Sequence, residues 1–141
     1  MQIHLRTLFV APSVPVTPWS AVFWWESRRI AYNILVGSYS IVCLCIFFWA
    51  ISTSGELEAG EDAVEPLALL FAPFLVNLAY TSGWFVEVLL RLVKPDLPST
   101  LGPRLLKTGL LFSAFIISIP AVSWTVIRLL QMVGLIKGGV S

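Results

Sequence analysis

The chain has 141 residues, 57% of them hydrophobic and 12% charged, and a formal net charge of +1. Soluble domains run nearer to about 45–50% and about 25%. With a mean hydropathy of +0.88, that balance excludes a disordered chain, a basic nucleic-acid binder and most soluble enzymes, and makes the lipid bilayer the first expected partner.

Residues 1–17 read as a proline-containing arm. The apolar stretch at residues 8–16 is short, holds Pro12 and Pro15, and is followed by no small-residue cleavage pattern before Trp19, so it does not read as a secretory signal. Pro12, Pro15 and Pro18 repeat every third residue, which suits a polyproline II stretch lying on the protein or on a neighbouring copy. Thr17 is placed to cap a helix with Pro18 at its first position. His4 is the single histidine and stands outside every apolar segment, so no metal or haem site is expected, and no other cofactor.

Residues 18–53 predict an interfacial helix running into a first transmembrane span, whose apolar stretch is residues 30–52. Trp19, Trp24 and Trp25 precede that stretch and Trp49 lies near its far end, the positions tryptophan takes at bilayer interfaces. With Arg28 beside them and Trp124 in the third span, they are read as interface anchors. Cys43 and Cys45, two apart on one helix, point about 200° apart and cannot bridge each other.

Residues 54–65 form an acidic outer loop carrying Glu56, Glu58, Glu61, Asp62 and Glu65 without the ligand pattern of a calcium loop. Residues 66–90 predict the second span. Residues 91–107 predict a basic inner loop in which Gly102 caps the third helix and Pro103 opens it. Residues 108–136 predict a long third helix with its extension, kinked at Pro120, where one backbone hydrogen bond is lost.

Orientation follows from the basic residues. Arg6, Arg28, Arg29, Arg91, Lys94, Arg104 and Lys107 fall on one side of the three spans; Arg128 and Lys137 fall on the other. The positive-inside bias predicts the N-terminus in the cytoplasm and the C-terminus across the membrane. The fold class is therefore all-α, integral to the membrane, as a single membrane domain.

At 100° per residue the helices sort into faces. Ala68, Ala72, Ala79 and Gly83 make a small-residue stripe on the second helix; Ala114 and Ser118 on the third and Gly37 on the first extend the set that lets helices approach closely. Glu26, Arg29 and Asn33 on the first helix and Asn77, Glu87 and Arg91 on the second form polar stripes of matching depth. A lone charge in the bilayer costs at least ~2.5–3.5 kcal/mol, so Glu87 needs a partner. Arg29 is the expected partner between helices and Arg91, at i+4, within one. With a small face and a polar face, the second helix is expected to sit centrally or at an oligomer interface.

No paired intramembrane carboxylates, no Ser/His/Asp constellation and no glycine-rich phosphate loop are present in the sequence. The expected function is a non-catalytic membrane subunit that forms a homo-oligomer or packs with other membrane subunits, with no nucleic acid involved. The alternative is an oligomeric channel or pore subunit with Glu87 at its inner mouth and Asn77, Ser118 and Thr125 along its path. The two separate on whether the polar stripes face a central axis or each other.

Overall fold

The structure, a computed structural model, describes residues 8–12, 16–54 and 66–135, with the side chains of Ser54 and residues 66–70 excepted. The expectations for His4, Pro15 and the acidic segment at 55–65 lie outside these residues, as does the side chain of Ala68. The described chain is three helices and no strand: α1 (Pro18–Ser54), α2 (Pro66–Val93) and α3 (Leu101–Met132). Each is long and apolar enough to cross a membrane. At 1.5 Å per residue their 37, 28 and 32 residues measure about 55, 42 and 48 Å.

Local chemistry sets the ends. The Thr17 hydroxyl accepts the Ser20 N–H at 3.2 Å and Pro18 opens α1, where its missing N–H costs nothing. Pro95 stops α2 just after Lys94, whose N–H bonds the Leu90 carbonyl at 2.8 Å. α3 starts one residue before Gly102, after Thr100, so the link between α2 and α3 is shorter than the basic loop expected at 91–107. Pro103 falls in its first turn, which tolerates proline. At the far end Gly134 takes a left-handed φ of +74°, and the Gly134 and Leu135 N–H groups fold back on the Gln131 and Leu130 carbonyls. Pro73 and Pro120 lie inside α2 and α3, each of which continues through its proline as one helix.

Of the two places expected for the second helix, at the centre or at an oligomer interface, the packing within the chain rules out the first. α1, not α2, is the central helix: it packs most extensively on α3 and also meets α2. The buried side chains gather in two clusters along it. Trp24, Trp25, Tyr32 and Val36 meet Tyr80 of α2 and Leu106 of α3. Further along, Cys43, Phe47 and Ile51 meet Ala121 of α3, with Trp124 edge-on to Phe47 at 6.4 Å between centroids. α2 joins only the first cluster. Residues 71–75, more than a full turn of α2, are exposed on every side.

Candidate functional site

Polar side chains within apolar helices need partners, and they find them where α1 and α2 cross. At one end Glu87 and Arg91, one turn apart on α2, are each 2% exposed. Glu87 Oε1 accepts from Arg91 Nε at 2.9 Å and Nη2 at 2.7 Å, while Oε2 accepts from the Trp25 indole N–H at 2.7 Å. Arg91 donates two further N–H groups to the Leu97 and Pro98 carbonyls at 3.1 and 3.2 Å. Both carboxylate oxygens and four of the five guanidinium N–H bonds are thereby engaged, close to the condition under which a buried ion pair is tolerated. The cluster ties α1 to α2 through Trp25, and α2 to the turn before α3 through Arg91.

Gly102 completes the enclosure. A Cβ there would lie 2.7 Å from Glu87 Oε2, so the α3 backbone closes over the carboxylate only because position 102 has no side chain. Gly83 has the same role on α2: its Cβ would lie 2.9 Å from the Trp25 ring. Tyr80 stacks edge-on against Trp25, 5.2 Å between centroids, and donates its hydroxyl to the Trp25 carbonyl.

A second group climbs the same α1–α2 face. Glu26 and Arg29 pair at 2.6 Å, both partly exposed. Arg29 also reaches Asn77 Oδ1 and the Thr81 hydroxyl at 3.4 Å, and its guanidinium lies 5.1 Å from the Tyr80 ring centroid. Asn33 Nδ2 donates to Asn77 Oδ1 at 3.1 Å, and Asn77 Nδ2 donates to the Pro73 carbonyl at 3.0 Å. On the other side of α1, Tyr32 bonds Ser113 at 3.0 Å and Tyr39 bonds Ser118 at 2.6 Å, linking α1 to α3.

The six polar residues read from sequence therefore divide into two groups. Glu26, Arg29, Asn33 and Asn77 form one; Glu87 and Arg91 form the other. Of the two partners expected for Glu87, Arg91 at i+4 is the one that pairs with it, and Arg29 does not, because Arg29 is held by Glu26 one turn below it and Trp25 stands in front of Glu87. The donor that α1 sends to Glu87 is an indole. Glu87, 2% exposed, is enclosed by Trp25, Arg91 and Gly102.

The small residues divide as well. Gly83 meets Trp25, and Ser118 and Ala114 lie partly buried on the side of α3 toward α1. Gly37, Ala72 and Ala79 are exposed. A Cβ at Gly37 would meet nothing within 4 Å, so close approach within the chain does not explain that glycine.

Of the tryptophans read as anchors, Trp19 is 76% exposed and Trp49 54%. Trp24 and Trp25 are instead buried in the core, and Trp124 packs on Phe47. Trp24 donates its indole N–H to the Val10 carbonyl at 3.0 Å, and Arg28 donates to the Leu8 carbonyl at 3.0 Å while lying 4.1 Å over the Trp24 ring. Arg28 is spent on holding the N-terminal segment against α1. The adjacent tryptophans follow helical geometry: neighbours on a helix point 100° apart, so Trp24 turns to the arm and Trp25 to α2.

Trp25 as a hydrogen-bond donor, Tyr32 with Ser113, Thr81 and Gly102 as a site residue were not anticipated from sequence. Tyr32, Tyr80 and Thr81 all carried a signal, as hydroxyls one turn from residues already in the polar stripes. Among the described residues no three His, Cys, Asp or Glu side chains come together as a metal site, and Cys43 and Cys45 are free thiols. Compared with family models, curated proteins and solved structures, the chain matches none.

Proposed function

We propose that this chain is a small, non-catalytic integral membrane subunit that forms a homo-oligomer or packs with other membrane subunits. α1, α2 and α3 cross the bilayer, with Pro120 bending α3. The N-terminus and the α2–α3 turn lie in the cytoplasm, and the C-terminus lies opposite. The start of α1 rests at the inner interface.

One observation carries this reading: the ionisable groups along the α1–α2 crossing are spent on each other. Glu87 and Arg91 are paired and enclosed, and Arg29 is shared among Glu26, Asn77 and Thr81. Such groups hold helices; none is left free as an acid, base or nucleophile along this crossing. The polar stripes also face each other across it, which favours an architectural network over a pore lining. Support for assembly comes from α2, whose small residue Ala79 is exposed rather than packed against a neighbouring helix backbone.

Insertion is supported by Trp19 and Trp49, 30 residues apart on α1 and both outward. That separation is about 45 Å, the thickness of a bilayer with its headgroups. Two measurements test the reading. The mass of the native particle in mild detergent should exceed that of one chain; a lone monomer would refute the assembly. Ser54→Cys and Ser141→Cys, in a background lacking Cys43 and Cys45, should both be labelled from outside; labelling of Ser54→Cys only from the cytoplasm would reverse the topology.

A further inference from the structure

We propose that the cleft between α1 and the outer half of α2 is a binding site for a neutral, hydroxyl-headed membrane amphiphile, such as a long-chain alcohol. This rests on the proposed insertion in a bilayer.

The cleft has a volume of about 380 Å³ and is half open to the side. Its apolar walls are Val36, Gly37, Leu44, Ala72, Pro73 and Val76; the Ser40 hydroxyl also lines it but donates to the Val36 carbonyl at 2.8 Å, and the Asn33–Asn77 pair lies at one end. That composition, apolar walls with a few converging polar groups and a volume of about 300 Å³ or more, is what small-molecule sites have in common. Gly37 contributes to the space: it faces the cleft and a Cβ there would touch nothing.

Depth and charge select the ligand. Asn33 lies 14 residues above Trp19 and 16 below Trp49, about 21 and 24 Å, which puts the asparagine pair near the bilayer centre. Phospholipid headgroups stay at the interface, so a head that reaches this depth must be cheap to desolvate. An ion is not. The nearest cation, Arg29, is neutralised by Glu26 at 2.6 Å and so offers little to an anion.

The asparagines define what the head must do. Each side-chain amide nitrogen carries two hydrogens, and Asn33 Nδ2 and Asn77 Nδ2 each donate one hydrogen bond. Asn33 Oδ1 is buried and accepts no hydrogen bond among the described residues, so the pair calls for a neutral head that can donate as well as accept, and a hydroxyl does both. Its apolar tail then runs along Val36, Val76, Leu44 and Ala72 toward the outer leaflet. A docked helix fits less well. A helix is about 10–12 Å across with its side chains, so it would seat on the rim of a cleft this size and leave the asparagines uncovered.

The experiment uses the full chain in phosphatidylcholine nanodiscs with a diazirine-bearing long-chain alcohol as probe, and cross-linked residues are mapped by mass spectrometry. Saturable labelling of Val36, Leu44, Ala72 or Val76 is expected. Unlabelled alcohol should displace it, but an alkane of equal length or the matching fatty-acid anion should not. Gly37→Leu fills the cleft from a position with free space and should weaken labelling about tenfold with helix content and particle mass unchanged. Asn77→Leu should abolish the preference for alcohol over alkane. Labelling that never saturates, or that is equal in Gly37→Leu, overturns the site. So does Gly37→Leu lowering the particle mass, which would mean that a helix covers the cleft. Absence of labelling on the outward faces, such as Phe115 and Leu111, would instead show that the chain is not in the bilayer, and the insertion reading falls with the site.

Discussion

The half of the molecule beside the α2–α3 turn and the half opposite it are held by different physics. Toward the α2–α3 turn, three helices meet through a few directional contacts: Trp25 to Glu87, Glu87 to Arg91, Arg91 to the Leu97 and Pro98 carbonyls. Toward the other end α1 and α3 pack mainly through side-chain shape, with Cys43, Phe47 and Ile51 against Ala121 and one hydrogen bond from Tyr39 to Ser118, while α2 stands apart. In a bilayer apolar surface gains little by leaving lipid for protein, so shape packing is weak glue and buried polar groups concentrate the specificity. The cooperative centre of the fold is therefore the crossing beside the α2–α3 turn.

The strongest way to break that contrast is at the ion pair. Removing one partner of a buried pair strands the other charge, so Glu87→Gln or Arg91→Gln should each cost about 3–5 kcal/mol. The double variant should cost less than the sum of the two. Unfolding in mixed micelles reads this directly. Arg29→Gln should add independently to Glu87→Gln, since Arg29 and Glu87 share no hydrogen bond; a large coupling between them would mean that the two polar groups act as one.

Next come the glycines that admit this packing. Gly83→Ala and Gly102→Ala push a methyl group against the Trp25 ring and the Glu87 carboxylate, and should cost about 1–3 kcal/mol. Ala79→Leu, on the same helix as Gly83 but exposed, should leave the stability of the single chain nearly unchanged and act on particle mass instead. If Gly83→Ala and Ala79→Leu had equal effects on unfolding, the division of the small stripe would be wrong.

The smallest effect belongs to the α1–α3 contact. Tyr39→Phe deletes the hydrogen bond to Ser118 and should cost about 0.6 kcal/mol, the average for such bonds between membrane helices. A cost as large as that at Glu87 would contradict the view that this half is held by shape.

The number of helices, the start of α1 at Thr17–Pro18 and the stripe to which each polar residue belongs were legible in the sequence, because they depend on backbone hydrogen bonding and on turn chemistry that acts within a few residues. The turn of each helix about its own axis is not local. Periodicity places Glu87 on a face, but whether that face meets Arg29 or Trp25 depends on how α1 and α2 cross. There Trp25 occupies the space next to Gly83, and Arg29 is turned toward Asn77 and Thr81. Trp24 and Trp25 look alike as interface anchors in sequence; a 100° step between neighbours sends one to the N-terminal segment and the other into the core. Which helix is central was decided in the same way. α2 has the more legible faces, yet α1 carries the long aromatic side chains that reach both neighbours, and only the assembled bundle shows that reach is what counts.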